Sequence, residues 1–266
     1  MAKTRSDRWP VLRTYTGEHL RRVAMPFGGI GTGTISIGGR GHLRDLEIFN
    51  RPDKGFCPAR CFAAVWAKAP GADPVTRVAE GPVDPIDYEA SHDAATHKAG
   101  LPRFAEAQLE AAYPFGQWTL RDADMPIDVR LEAFNPFVPT DPAASGLPLL
   151  ALRYVLVNRS AKNVQAAVCM TLRNLVGYTG TNFWHREQIA GGVNTLRRAN
   201  RGRLIGLHMT NDQVKPHAPT AGSMALATTA TTGVTHWQAW PFIGWDSDYI
   251  DFWNDFAHDG RPDKLT

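Results

Sequence analysis

Cysteine is scarce in this sequence: three thiols in 266 residues, an odd number that suits a reducing compartment and leaves no disulfide framework to read. Cys57 and Cys61 stand one residue further apart than a Cys-x-x-Cys redox pair, and the second pair that a structural zinc site needs is missing. Both are expected as ordinary thiols, and Cys169, in an apolar strand pattern, as a small core residue. Long apolar runs are absent too. No stretch approaches the roughly 18 consecutive apolar residues of a membrane span, and no apolar segment of an export signal follows the basic start Met1 to Pro10. The expected location is therefore the cytoplasm, with no membrane span. Net charge is only +3, and the basic cluster Arg197, Arg198, Arg201 and Arg203 lacks interleaved aromatics, which argues for a solvated turn and no nucleic-acid partner. With 43% hydrophobic and 21% charged residues, neither disorder nor a fibrous repeat is indicated, and the length allows one large domain with a sizeable core.

Glycine, by contrast, is concentrated. The run Met25-Pro26-Phe27-Gly28-Gly29-Ile30-Gly31-Thr32-Gly33 invites a phosphate-loop reading, because glycine lets a backbone turn tightly and present N–H groups to an anion. The spacing refuses it. A dinucleotide fingerprint placed on Gly29 and Gly31 needs glycine where Thr34 stands, and placed on Gly31 and Gly33 it needs glycine where Ser36 stands. A Walker loop needs Lys-Ser/Thr directly after Gly33, where Thr34 and Ile35 follow. Gly28, Gly29, Gly31 and Gly33 are therefore read as structural glycines at a tightly packed strand start. Beyond them Ile35 and Ile37 alternate with Thr34 and Ser36, and Leu46 and Ile48 flank Glu47, which predicts a hairpin turning through Gly38 to Gly41.

Further strand patterns follow at 61–68, 117–121 and 127–133, the last alternating strictly between apolar and charged residues. Residues 149–157 and 164–172 predict two long antiparallel strands joined by the polar turn 158–163. Shorter strands are expected at 204–209, 222–229 and 234–240. Residues 1–24 read as an N-terminal arm, and 75–103, rich in proline, as a long excursion between strands. In 246–266, Tyr249, Phe252, Trp253 and Phe256 recur at steps of three and four before Gly260, which predicts a short amphipathic helix. The fold class is all-β: a large two-sheet antiparallel β-sandwich over 25–245 with a short C-terminal helix.

The stretch Met25 to Ile37, continued by Gly41-His42-Leu43-Arg44-Asp45-Leu46-Glu47-Ile48-Phe49-Asn50-Arg51-Pro52, resembles the opening of glycoside hydrolase family 116, which includes non-lysosomal glucosylceramidases and bacterial β-glucosidases. Leu101-Pro102-Arg103, Leu131-Glu132-Ala133-Phe134-Asn135-Pro136-Phe137 and Asp251-Phe252-Trp253-Asn254-Asp255-Phe256 are further matching landmarks, so the resemblance extends from about residue 15 to about residue 260. It implies the N-terminal, non-catalytic β-sandwich of a retaining β-glucosidase. The Glu nucleophile and Asp acid/base belong to a following (α/α)6 helical catalytic domain, and these residues end about where that domain would begin. No residue here inherits a catalytic role. The implied partners are the helical catalytic domain and a β-glucoside carbohydrate.

Other chemistry finds little support. Asp45 and Glu47 are two apart on a predicted strand, where a solvated outer face explains them as well as catalysis does. The acidic series Asp246, Asp248, Asp251, Asp255 and Asp259 fails as a calcium loop, because Ile250 stands where an oxygen ligand is needed. His92, His97 and His185 have no metal-ligand spacing, and no Gly-x-Ser-x-Gly elbow occurs, so neither metal nor cofactor is expected. The remaining candidates are Arg44, Asp45 and Asn50, beside the glycine-rich hairpin, and Trp240, Trp245 and Trp253 in an aromatic run at 237–256. All six are assigned to a domain interface or the rim of a sugar pocket. If that aromatic run were exposed without a partner, the chain should self-associate. A stand-alone carbohydrate-binding module is the alternative and requires an exposed aromatic platform; an independent enzyme requires two convergent carboxylates in a pocket.

Overall fold

The computed structural model describes residues 12–48, 51–83, 100–179, 189, 191–240 and 247–262. Among them, fourteen strands form four sheets, and every ladder is antiparallel. The largest sheet sets β1 (Arg13–Thr16), β7 (Glu106–Ala112), β8 (Phe115–Arg121), β9 (Ile127–Phe134) and β10 (Ala151–Asn158) side by side in that order. Its inner face comes from strict alternation. Trp118 and Leu120 of β8 and Ile127, Val129, Leu131 and Ala133 of β9 are buried, while Gln117, Thr119, Asp128, Arg130 and Glu132 turn outward.

The opposing layer consists of two sheets packed on that same inner face. β5 (Phe62–Lys68) lies between β6 (Val75–Val78) and β11 (Gln165–Thr171), and its Ala63, Val65 and Ala67 meet Leu120, Ile127 and Val129. β2 (Ala24–Phe27), β3 (Thr34–Gly38) and β4 (Leu43–Glu47) bring Met25, Phe27, Ile37, Leu43 and Leu46 against Leu109, Trp118 and Leu131. Together these make a sandwich of two layers, with the second layer divided between two sheets where one was expected. The other face of β5 is covered as well. Phe62 and Trp66 pack under Tyr249, Phe252 and Phe256 of the helix Ser247–Asp259, hereafter α2 after the short α1 (Pro142–Ser145). Cover on both sides explains why 62–67 reads as an unbroken apolar run instead of an alternation. α2 stops where the sequence says it should. Gly260 takes φ +76°, donates its N–H to the Phe256 carbonyl and lies against the Trp66 ring, whose indole N–H donates to Ala257 O at 3.1 Å.

Several expectations are corrected. The strands 151–158 and 165–171 do not form a hairpin: β10 pairs with β9 and β11 with β5, so the polar turn between them crosses from one layer to the other. Each strand's inward residues find their partners across the sandwich, as Tyr154 and Met170 do, and not along a shared ladder. No strand forms at 234–240. The excursion begins later than residue 75, since 75–78 is β6, and Phe104 on its return is buried. Within the N-terminal arm, Arg13–Thr16 is an edge strand on β7. β12 (Val193–Ala199), β13 (Leu204–Thr210) and β14 (Met224–Thr228) form a small, largely exposed sheet; Arg197 and Arg198 therefore sit on a strand, with only Arg201 and Arg203 in or beside the turn.

Candidate functional site

The glycine-rich hairpin folds as expected, with β3 paired to β4 and β2 on the far side of β3. Its glycines make close approaches possible. Gly33 adopts φ +91°, and a Cβ there would lie 2.6 Å from the Glu47 carbonyl oxygen; a Cβ on Gly29 would meet the Gly146 backbone at 2.6 Å. Gly33→Ala should therefore cost about 1–3 kcal/mol, read as a lower urea midpoint. An unchanged midpoint would remove the structural account of this glycine.

The surprise is Asp45. Ile35 pairs with Leu46 but Ser36 pairs with Arg44, so Asp45 is the extra residue of a β-bulge and takes φ +48°. The bulge breaks the alternation that would have put Asp45 and Glu47 on one solvated face: Asp45 is only 3% exposed. Its carboxylate accepts from Gly55 N at 2.8 Å and Arg44 Nε at 3.2 Å, and its own N–H donates to Phe56 O at 2.8 Å. It thereby fastens the loop 51–56 onto the hairpin. That loop brings Lys54 Nζ onto Glu47 Oε2, while Thr34 Oγ1 and Asp53 N donate to the same carboxylate at 3.3 and 3.2 Å. The Lys54 hydrogen bond, opposed by partial burial, holds the Glu47 carboxyl below the usual range. Burial instead pushes the Asp53 carboxyl up, against the Tyr178 hydroxyl and Arg51. Phe56 stacks on Tyr178 at 5.5 Å, and the Arg51 guanidinium lies over the same Tyr178 ring at 5.8 Å. Asp45 and Glu47 are thus each engaged in holding this loop, not presented as a catalytic pair.

Arg44 lines a cleft of about 640 Å³ between the residue 17–20 turn, the hairpin and the outer ends of β7 and β8. Arg40 and Arg121 line it too, but each of the three already faces a carboxylate: Glu80, Asp45 and Asp128 take Arg40, Arg44 and Arg121 at 2.5, 3.2 and 3.6 Å. Arg21 lines it as a fourth cation. Glu18 and Glu106 also line it, both exposed to solvent. Asn50 and Trp245 lie outside the described residues, as do His92, His97 and His185.

The aromatic run is turned largely inward. Phe252 lies 5.7 Å from Phe62 and 5.0 Å from Trp240, and Trp237 stands 6.3 Å from Trp240 at 85°. Arg60 anchors the start of α2, pairing with Asp248 and donating its backbone N–H to the Tyr249 hydroxyl at 2.8 Å. Tyr249, Phe252 and Phe256 are core residues of this domain, and Trp237, Trp240 and Trp253 are half-buried. Among the described residues, no group of three His, Cys, Asp or Glu is placed to hold a metal. All three cysteines are free thiols, and burial pushes the Cys169 thiol up to about 12, which keeps it protonated and unreactive near neutrality. No described helix is long and apolar enough to cross a membrane.

Sequence reasoning missed the Arg40–Glu80–Arg103 cluster. Glu80 Oε2 accepts from Arg40 at 2.5 Å and lies 3.4 Å from Arg103 Nε, with all three side chains almost fully buried. Only the odd placement of a charge between Val78-Ala79 and Gly81 hinted at it. Compared with known protein families, the chain matches over residues 24–265 the model described as beta-glucosidase 2, glycosyl-hydrolase family 116 N-term. No curated protein matches it.

Proposed function

Because the chain belongs to the glycoside hydrolase family 116 N-terminal domains, we propose that it is a non-catalytic sandwich that braces the helical catalytic domain of a retaining β-glucosidase. The observation that carries this is the family match across nearly the whole chain. Supporting it, the carboxylates of the family's opening motif hold a loop in place, Asp45 through Gly55 and Glu47 through Lys54. The substrate class is a β-glucoside, with glucosylceramide among the candidates. Arg44 and the loop it helps to fix are the residues proposed for the pocket rim.

The test is release of p-nitrophenol from its β-glucoside by the purified chain, by a separately expressed family 116 catalytic domain, and by the mixture. The expected result is no turnover by the chain alone and faster or more heat-resistant turnover in the mixture. Turnover by the chain alone would place a catalytic pair inside the sandwich, and a catalytic domain indifferent to the chain would end the bracing role.

A further inference from the structure

We infer that the catalytic domain seats on one end of the five-stranded sheet, on an exposed apolar surface formed by the β7–β8 turn, the end of β9 and the tip of the glycine-rich loop. The inference rests on the bracing role proposed above and gives it a location. The outer face of this sheet is otherwise polar: Gln117 hydrogen-bonds Glu110, and Arg130 and Arg153 both reach Glu132. At one end the chemistry changes. Phe115 pairs with Phe134 across the ladder, their rings 6.3 Å apart, and Tyr113 from the turn meets Phe137 at 6.1 Å. Ile30, at the tip of the loop, is joined to the same end through its N–H to Ser145 O at 2.9 Å, beside Val138.

Leu147 and Leu149 complete the surface, on which eight large apolar residues are each 39–58% exposed. Eight large residues with exposures of that size form a surface on the scale of the roughly 800 Å² that one partner brings to a standard interface. The residues that form it also favour the catalytic domain over a second copy of this chain as occupant. Two of the stretches that carry the family resemblance contribute: Ile30 comes from the glycine-rich motif, and Phe134 and Phe137 from the Leu131–Phe137 landmark. A surface built from the family's shared motifs fits a partner that the family shares. Among the described rings of the aromatic run, Tyr249, Phe252 and Phe256 fill this domain's own core and Trp237, Trp240 and Trp253 pack against it.

The experiment compares binding of the full chain to a separately expressed family 116 catalytic domain by sedimentation or titration calorimetry, with three proteins. One is unaltered, one carries Ile30→Glu and Tyr113→Ser, and one carries Ile250→Glu, which alters an equally exposed residue on α2. All three substituted positions are at the surface, and matching thermal unfolding of the three proteins confirms that each is folded. The expected result is an affinity about tenfold or more weaker for the Ile30/Tyr113 variant and unchanged for Ile250→Glu. Equal binding by all three, or loss only with Ile250→Glu, would overturn the location while leaving the bracing role intact. Failure of the unaltered chain to bind would overturn both. A chain that dimerises through this surface and ignores the catalytic domain would overturn the choice of partner.

Discussion

Trp118→Ala should destabilise the domain by about 3–5 kcal/mol, the range for truncating a fully buried aromatic. Trp118 is wholly enclosed, lies 6.4 Å from Phe27, and donates its indole N–H to Gly38 O at 3.0 Å. The ring therefore joins the five-stranded sheet to the hairpin sheet by packing and by a hydrogen bond that no water can replace cheaply. Its space exists because residue 116 is glycine, where a Cβ would come within 2.5 Å of the ring. Against a total stability of about 5–15 kcal/mol for a typical domain, the loss would leave a marginal fold. Urea unfolding followed by fluorescence checks it. A loss below about 1 kcal/mol would mean that the sandwich collapses into the vacated space, contrary to the close packing described. Trp118→Phe should lie between, keeping part of the volume but losing the indole donor to the Gly38 carbonyl, which still accepts from Gly41 N.

Glu80→Gln is the second large effect, and its cause is electrostatic. Glutamine keeps the shape but removes the charge that Arg40 and Arg103 share, leaving two guanidinium groups with side-chain exposures of 9% and 6% without their common carboxylate. Breaking such a buried cluster from one side costs about 3–5 kcal/mol. The damage should spread, because the same segment holds three parts of the chain. Gly81 N donates to Arg40 O at 2.7 Å, Phe104 N to Glu80 O at 3.1 Å, and Arg103 Nη1 to Leu101 O at 2.8 Å. The double variant Glu80→Leu with Arg40→Met should be less unstable than Glu80→Gln, since it leaves one buried guanidinium, that of Arg103, without this carboxylate where Glu80→Gln leaves two. A double variant that is worse, measured by the same urea midpoints, would show that shape and not charge governs this cluster.

Legibility followed the strength of local pattern. The 127–134 strand, the hairpin across Gly38–Gly41 and the C-terminal helix were readable because alternation, glycine and helical spacing each state a local geometry directly. Strand 106–112 was not, since Glu-Ala-Gln-Leu-Glu-Ala-Ala has helix-forming composition and becomes a strand only because β1 and β8 flank it. The bulge at Asp45 was hidden for a related reason: one inserted residue reverses which side chains face inward and leaves no compositional mark. The layer change between β10 and β11 depends on partners far away in the chain. At the candidate site, the importance of the family's opening motif was visible early, whereas the inward turn of the aromatic run depended on where β5 came to lie.

That strand has a consequence for synthesis on the ribosome. Phe62–Lys68 finds β6 soon after it emerges, but its other ladder partner is Gln165–Thr171, and the helix covering its outer face ends only at Asp259. At about 5–20 residues per second, roughly ten to forty seconds separate the strand's appearance from its final cover. Throughout that interval an uncharged stretch, Phe-Ala-Ala-Val-Trp-Ala, is available to neighbouring nascent chains. Slower passage through the middle of the message would lengthen the exposure, and a chaperone that holds extended apolar segments would shorten its effective duration.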